Sequence, residues 1–403
     1  MKILFTHRYF WPDSPPYGNM LRNLAATVAE NGHEVCVYTA LPSYRDRTGL
    51  ECPRSAMDGQ VKIIRGPVFG SERSNIFIRL MNSLAYCIGL FFIIIKTRPD
   101  LVTAATFPPV FAAWSSSLAA RLVKAKFVYH LQDVHPEVSV VSGGALGKGI
   151  LRRFLLRCDA QTIKRSAAVV VLSDDMAQTL RQRGYEIDNL LVINNPPIEL
   201  NATEEAPPDE YRKQAGKIRL IFAGNLGRFQ NLGVMIDGLS DCFAENLNLE
   251  VVFLGDGDAE VELKQKWGDH PQVRFFPYLP FSQASVLIRE SDFGLVSLEP
   301  GIHRVSFPSK VSTYLNLGIP LLVVVESESV LADLTRKNGL GVVPAEVSKS
   351  EISKALRELM RHGDGLGSAA LGWYEANWST EANHNAWLRL LSDNDNKAEP
   401  ANS

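Results

Sequence analysis

Lys310 has the sequence surroundings that point most directly at chemistry. It follows Phe307-Pro308-Ser309, and Val311, Tyr314 and Leu315 continue at helical spacing before Gly318-Ile319-Pro320. Ser309 is a natural N-cap, which puts Lys310 in the first helical turn. A cation there opposes the helix dipole, which favours anions at that end. The conflict resolves if a phosphate sits against the turn. A second loop of the same kind is Ala223-Gly224-Asn225-Leu226-Gly227-Arg228-Phe229-Gln230-Asn231. Two glycines bracket an amide there, and Arg228 offers a guanidinium suited to bidentate phosphate contacts. A solvated surface arginine is the plainer reading. In a third loop, Tyr17-Gly18-Asn19, the glycine either lets backbone approach an anion at a helix start or simply makes a turn.

A fourth cluster, Tyr129-His130-Leu131-Gln132-Asp133-Val134-His135-Pro136-Glu137, closes an apolar strand. Alternation puts His130 and Gln132 on one face, with Asp133 and His135 not simply in line with them. Asp133 and His130 could do charge-stabilising or proton-transfer work, or Asp133 could cap a turn while His130 is satisfied in the core. A metal site lacks a convincing third ligand. Asp256-Gly257-Asp258 has a short acidic pattern that elsewhere holds a divalent cation, but its place after an apolar run reads as a solvated turn. No metal is expected.

Strands and helices must alternate to position these loops, which is the signature of parallel-sheet α/β architecture. Apolar runs predict strands at 2–6, 34–39, 61–65, 101–104, 127–131, 168–172 and 191–193. A second series follows at 219–223, 249–254, 273–276, 293–296, 321–325 and 341–343. Leu21, Leu24, Ala25, Val28 and Ala29 make a helix that Gly32 stops. The expected domains are 1–198 and 217–372, joined by a polar, acidic linker at 199–216 containing Pro207-Pro208. A helical segment with three tryptophans, 373–391, is expected to pack back on the first domain, and 392–403 to fray. Two such halves imply a cleft at the strand carboxyl ends, where ligands bind in open α/β sheets.

The 403 residues carry a net charge of −2, so no global excess suggests nucleic acid. The halves differ, however: residues 1–198 hold 23 Lys and Arg against 15 Asp and Glu, and residues 199–403 hold 19 against 29. The first half is therefore suited to an anionic partner. Five cysteines without a CxxC pair fit a reducing compartment. The stretch 83–95 is about half of the ~20 apolar residues that span a bilayer, so no transmembrane helix is expected. A cytoplasmic protein, resting at most on the inner face of the plasma membrane, is the expectation. Arg152, Arg153, Arg157, Lys164 and Arg165 interleave with Leu151, Phe154, Leu155 and Leu156 as either a face for anionic lipid or a solvated helix face.

In this order and spacing the loops resemble glycosyltransferase family 4, retaining enzymes of GT-B fold, and more narrowly the bacterial members that build O-antigen, capsule or colanic-acid-type polysaccharides. The landmarks are the loop 11–19, Asn31-Gly32-His33-Glu34-Val35, Arg98-Pro99-Asp100, Gln132-Asp133 and Ile193-Asn194-Asn195-Pro196. They continue in Gly224-Asn225-Leu226-Gly227, Leu254-Gly255-Asp256-Gly257 and Pro308-Ser309-Lys310. The resemblance implies two Rossmann-like domains whose parallel sheets face an interdomain cleft. It implies a nucleotide-sugar donor, UDP-linked in preference to GDP-linked, held mainly by the second half, with no cofactor. The acceptor, a saccharide or lipid-linked saccharide, would lie on the first half. Asp133, His130, Lys310 and Arg228 would serve catalysis. Gly18, Asn19, Gly224, Asn225, Gly227, Gln230, Gly255, Pro308, Ser309, Lys310 and Thr313 would bind the donor.

The chain departs from the family pattern at known places. The two glutamates eight positions apart before the Gly-x-Pro fall on Val305 and Thr313, which leaves Glu299 or Glu328 for the ribose. The usual Arg and Lys of the second-domain loop fall on Asn225 and Gln230, so Arg228 and Lys310 must supply the positive charge. The His-Asp pair reads Gln132-Asp133. A nucleotide-sugar epimerase of the same build, or a silent nucleotide-sugar-binding subunit, are the alternatives. The missing glutamates are the one feature in favour of the latter. A dehydrogenase is disfavoured, because no strand leads into GxGxxG.

Overall fold

The computed structural model describes residues 1–13, 16–42, 52–69, 76–141, 144–184, 187–197, 204–245, 248–363 and 365–396. It divides into two compact units, Met1–Asn195 with Glu381–Ser403, and Pro196–Thr380.

Unit 1 is built on β1 (Lys2–Thr6), β2 (Glu34–Ala40), β3 (Ser55–Asp58), β4 (Val61–Gly66), β5 (Leu101–Ala105), β6 (Lys126–His130), β7 (Ala168–Val171) and β8 (Leu190–Val192). They form one sheet in the order β3-β4-β2-β1-β5-β6-β7-β8, parallel except that β3 runs antiparallel to β4. The central strands are near-continuous apolar runs because helices cover both faces of a parallel sheet. Ile3, Phe5, Val37 and Val128 pack with Leu24 and Val28 of the helix Pro16–Glu30 and with Trp387 of the last helix, Thr380–Asn396. The chain order reverses between β1 and β5, which is the switch point where such sheets bind ligands.

Unit 2 holds β9 (Ile218–Ala223), β10 (Leu249–Leu254), β11 (Val273–Phe276), β12 (Phe293–Ser297), β13 (Leu321–Val324) and β14 (Gly341–Val342). Their order is β11-β10-β9-β12-β13-β14, the doubly wound arrangement with its switch point between β9 and β12. Phe222, Phe253 and Leu295 of the sheet pack against Met235 and Leu239 of the helix Leu232–Ala244 and Leu356 of the helix Lys349–His362.

Four features differ from expectation. The strand β3 has no apolar run: its four residues alternate between exposed and half-buried, as suits a short edge strand. The described part of the expected linker, 204–216, is fastened to unit 2. Tyr211 stacks on Phe276 at 4.2 Å, and the Arg274 guanidinium donates to the Arg212 carbonyl. Residues 199–203 of that span lie outside the described residues. The segment 373–391 is cut in two: the helix Leu366–Asn377 belongs to unit 2 and Thr380–Asn396 to unit 1 from Glu381 onward. That last helix runs through the first five residues of the expected frayed tail; 397–403 lie outside the described residues. Finally, the apolar stretch at 83–95 belongs to a 22-residue helix, Ile76–Thr97, long and apolar enough by length and composition to cross a membrane.

Candidate active site

At the unit 2 switch point, β12 pairs with β9 only through Phe293↔Leu220 and Gly294↔Ile221. Beyond that register the Tyr314 hydroxyl takes over. It accepts from the Ala223 amide at 2.8 Å and donates to the Ile221 carbonyl at 3.1 Å. The ring fits because residue 294 is glycine: a Cβ there would come within 2.5 Å of Tyr314 Cδ2. Tyr314 is fully buried in the helix Lys310–Asn316, so the clamp also fixes Lys310 one turn earlier.

The Lys310 ammonium lies 3.1 Å from the centroid of the Phe222 ring and donates to Gln230 Oε1 at 3.2 Å. Among the described residues no carboxylate pairs with it. Burial pushes its pKa well below the ordinary lysine value. Gly224 follows β9 with φ +127 and an amide bonded to the Leu254 carbonyl at 2.9 Å. A side chain on it would stand 3.9 Å from Lys310 Nζ. Gly255, with φ +140, lies against the Gly224 carbonyl so closely that a Cβ would collide with it. The structure therefore gathers Lys310, Gln230 and Gly224 around one cation, with Gly255 packed behind. The exposed Asn225 side chain lies beside Gly227 and Gly257.

Other members of the expected donor set are placed differently. The Arg228 side chain is 83% exposed and lies 3.8 Å from the Asp258 carboxylate. Ser309 stands at the N-cap position with α-helical φ and ψ, so its exposed hydroxyl makes no cap bond. Pro308, Thr313 and Val305 are buried. Of the two glutamates left for the ribose, Glu299 has a carboxyl raised by burial, and Glu328 sits at the surface 3.7 Å from Arg304. The carboxylate held in place at these strand ends is instead Glu326. It accepts from the Gly301 amide at 2.6 Å and from His303 Nδ1 at 3.1 Å. Burial raises its pKa, but these bonds outweigh burial and hold the carboxyl below its usual range.

In unit 1, Tyr17 stands between two histidine rings, with centroids 4.6 Å from His7 and 5.3 Å from His130. Asn195 donates to Gln132 Oε1 at 2.5 Å, so the Gln132 amide N–H is what faces His130 Nε2 at 2.9 Å. That leaves Nδ1 of His130 as the protonated nitrogen, 3.1 Å from the Tyr17 hydroxyl. Burial pulls His130 down to about 3, helped by His7, and His7 to about 4. Both are neutral at physiological pH. His130 is thus buried with both nitrogens engaged, by Gln132 and by Tyr17. Asp133 is half-buried, and its charge acts on His135, opposing the burial that lowers that imidazole. Gly18 is buried within the first turn of the helix Pro16–Glu30 with Asn19 half-buried beside it, and Ser14 and Pro15 of the preceding loop lie outside the described residues.

Sequence reasoning missed the group that holds the Asp133 loop. Arg183 bonds both oxygens of Glu137, at 3.0 and 2.6 Å, the His135 carbonyl at 2.7 Å and the Asp159 carboxylate. Asp159, fully buried, also accepts from the Tyr129 hydroxyl at 2.8 Å. Glu137 and Asp159 lie 46 and 24 positions from Arg183, so no local spacing could reveal the network. Tyr314 had a signal: a phenol one turn past Lys310 in a short buried helix needs a partner for its hydroxyl. Among the described residues no three His, Cys, Asp or Glu side chains gather as a metal site.

Residues 17–196 match the glycosyl transferase 4-like domain. Over 353 residues the chain is 24% identical to a protein of Escherichia coli K12 named as a colanic acid biosynthesis glycosyl transferase, WcaI, covering 83% of this chain and 86% of that one. Its fold is similar to that of WaaG, a glycosyltransferase involved in lipopolysaccharide biosynthesis (TM-score 0.65, 17% identity, 95% and 98% of the two chains). It is also similar to Anabaena HepE in complex with UDP (TM-score 0.66, 14% identity, 98% and 100%). With two switch-point sheets, the chain is a glycosyltransferase of GT-B fold that carries a glycosyl transferase 4-like domain over residues 17–196.

Proposed function

We propose that the chain transfers a sugar, with retention, from a nucleotide-diphosphate sugar to a saccharide acceptor during assembly of a cell-surface polysaccharide. The acceptor is lipid-linked, the donor a UDP-sugar in preference to a GDP-sugar, and the reaction runs in the cytoplasm without a metal. The observation that carries the reading is Lys310: a half-buried cation at the switch point of unit 2 whose partners are an amide oxygen and an aromatic ring. Such a charge is costly until an anion joins it.

As the bond from the anomeric carbon to the phosphate oxygen breaks, negative charge develops on the departing diphosphate. Lys310 stabilises that charge most where it is greatest, which is what accelerates the step. The phosphate oxygen takes the proton of the acceptor hydroxyl as that oxygen bonds the anomeric carbon on the same face. Gly224 admits the diphosphate beside Lys310, and Gln230 orients the ammonium. Asp133 serves the electron-poor sugar carbon, and the Arg183 network fixes its loop. The polysaccharide setting is supported by WcaI and WaaG, and the UDP preference by HepE.

A thermal-shift series with UDP, GDP, ADP and CMP, each with and without EDTA, tests this. UDP should raise the unfolding midpoint equally in both conditions, and UDP should appear from a UDP-sugar only when acceptor is present. Stabilisation abolished by EDTA would overturn metal independence. Turnover of donor alone into an isomeric donor would make the protein an epimerase, and binding without turnover a silent subunit.

A further inference from the structure

The helix Ile76–Thr97 packs one face inward and leaves the other uncovered. Tyr86, Leu90 and Ile94 are buried, while Phe77, Leu80, Leu84, Ile88 and Phe92 form an outward stripe at spacings of three and four. Phe77 is 72% and Phe92 63% exposed. Within Phe77–Thr97 the most apolar 18-residue window has a mean hydropathy of 2.0, yet only 22% of it is buried. That is the reverse of a core helix.

Two neighbours extend this surface. The helix Phe111–Val123 packs beside Ile76–Thr97 on one side and beside Gly149–Arg165 on the other. The Ser115 hydroxyl donates to the Cys87 carbonyl at 2.9 Å, and the Phe111 and Phe154 rings lie 6.3 Å apart. Ile150 (83% exposed), Leu151 and Phe154 continue the apolar surface onto the third helix. Together the three helices carry eight lysines and arginines and a single acid, Asp159, which is fully buried and bonded to Arg183. The outer surface of the layer is therefore apolar and cationic with no carboxylate on it.

We infer that this three-helix face docks unit 1 on an anionic phospholipid bilayer. The stripe on Ile76–Thr97 enters the headgroup–acyl boundary lying in the plane, and Arg152, Arg153 and Arg157 meet lipid phosphates. Exposed apolar patches of this extent mark interaction surfaces, and a basic rim selects an anionic one. The helix does not span the bilayer: its inner side is occupied by the sheet and by Phe111–Val123. A second copy of the chain fits less well, because pairing this face with itself would set its cations against each other. The inference rests on unit 1 alone and is independent of the donor reading.

The test is sedimentation of the full chain with phosphatidylcholine vesicles and with vesicles containing phosphatidylglycerol. Binding should be at least about tenfold stronger to the anionic vesicles and fall with added salt. At about fivefold per basic residue, Arg152→Ser/Arg153→Ser/Arg157→Ser should weaken it on the order of 100-fold. Leu84→Ser/Phe92→Ser should abolish it even at low salt, with an unfolding midpoint close to the parent's, since both side chains are exposed. Equal, salt-insensitive binding to both vesicles would overturn the inference. So would no vesicle binding together with a dimer in analytical ultracentrifugation that Leu84→Ser/Phe92→Ser dissolves.

Discussion

Arg183 in unit 1 and Lys310 in unit 2 are both cations withdrawn from water near strand ends, and the protein treats them oppositely. Arg183, its side chain 6% exposed, meets two carboxylates and a carbonyl. Lys310 meets a neutral amide oxygen and the face of a phenylalanine. A buried charge with its partners in place holds structure together, whereas one left with neutral partners is held ready for a ligand. The neutral His7–Tyr17–His130 cluster belongs with Arg183, because its donors and acceptors meet partners inside the protein.

The contrast predicts opposite outcomes for removing each charge. Arg183→Met strands Asp159, whose carboxyl burial already pushes upward against the pull of Arg183 and Tyr129. Urea denaturation should show a loss of about 3–5 kcal/mol. A loss under 1 kcal/mol would mean that the network holds nothing.

Acid should find the same matched interior from another direction. His7 and His130 take up protons near pH 6.5 when unfolded but only near 4 and 3 when folded. Their contribution is therefore complete above pH 6.5 and declines as pH falls toward those folded values. By pH 5 each should cost about 2 kcal/mol of stability. Denaturation across pH 7 to 5 should be flatter in the double variant His7→Gln/His130→Gln; an unchanged slope would refute the assignment.

The smallest effect concerns the clamp under Lys310. Tyr314→Phe leaves the Ala223 amide and Ile221 carbonyl without their hydroxyl partner, at a cost of about 1–3 kcal/mol. Because the clamp sets where Lys310 stands, UDP affinity should fall with it. Lost stability at unchanged affinity would confine Tyr314 to the core.

Most of the strands were legible because parallel strands write themselves as apolar runs, and 249–254 and 273–276 agree with β10 and β11 to the residue. The edge strand β3 was not legible, being short and half-polar, and the length of Ile76–Thr97 was underestimated by starting from its most apolar part. At the site, Lys310 was readable because its type conflicts with its position at a helix start. The exposure of Arg228 was not legible: its type suits phosphate, but nothing in the sequence told which way a three-residue 3-10 turn would aim it. The burial of His130 was not legible, because burial of an imidazole leaves no mark on local sequence. Contacts such as Arg183 with Glu137 exist only after folding.

Isothermal titration of UDP into the parent chain and into Lys310→Met, with thermal unfolding run on both, tests the central claim. Loss of a charge-assisted contact of about 1.5–3 kcal/mol predicts affinity reduced roughly 10- to 150-fold. The unfolding midpoint should hold or rise, because a costly unpaired charge has been removed. Unchanged affinity in a folded variant, or a fold weakened as Arg183→Met weakens it, would show that Lys310 is a structural cation and not the seat of the diphosphate.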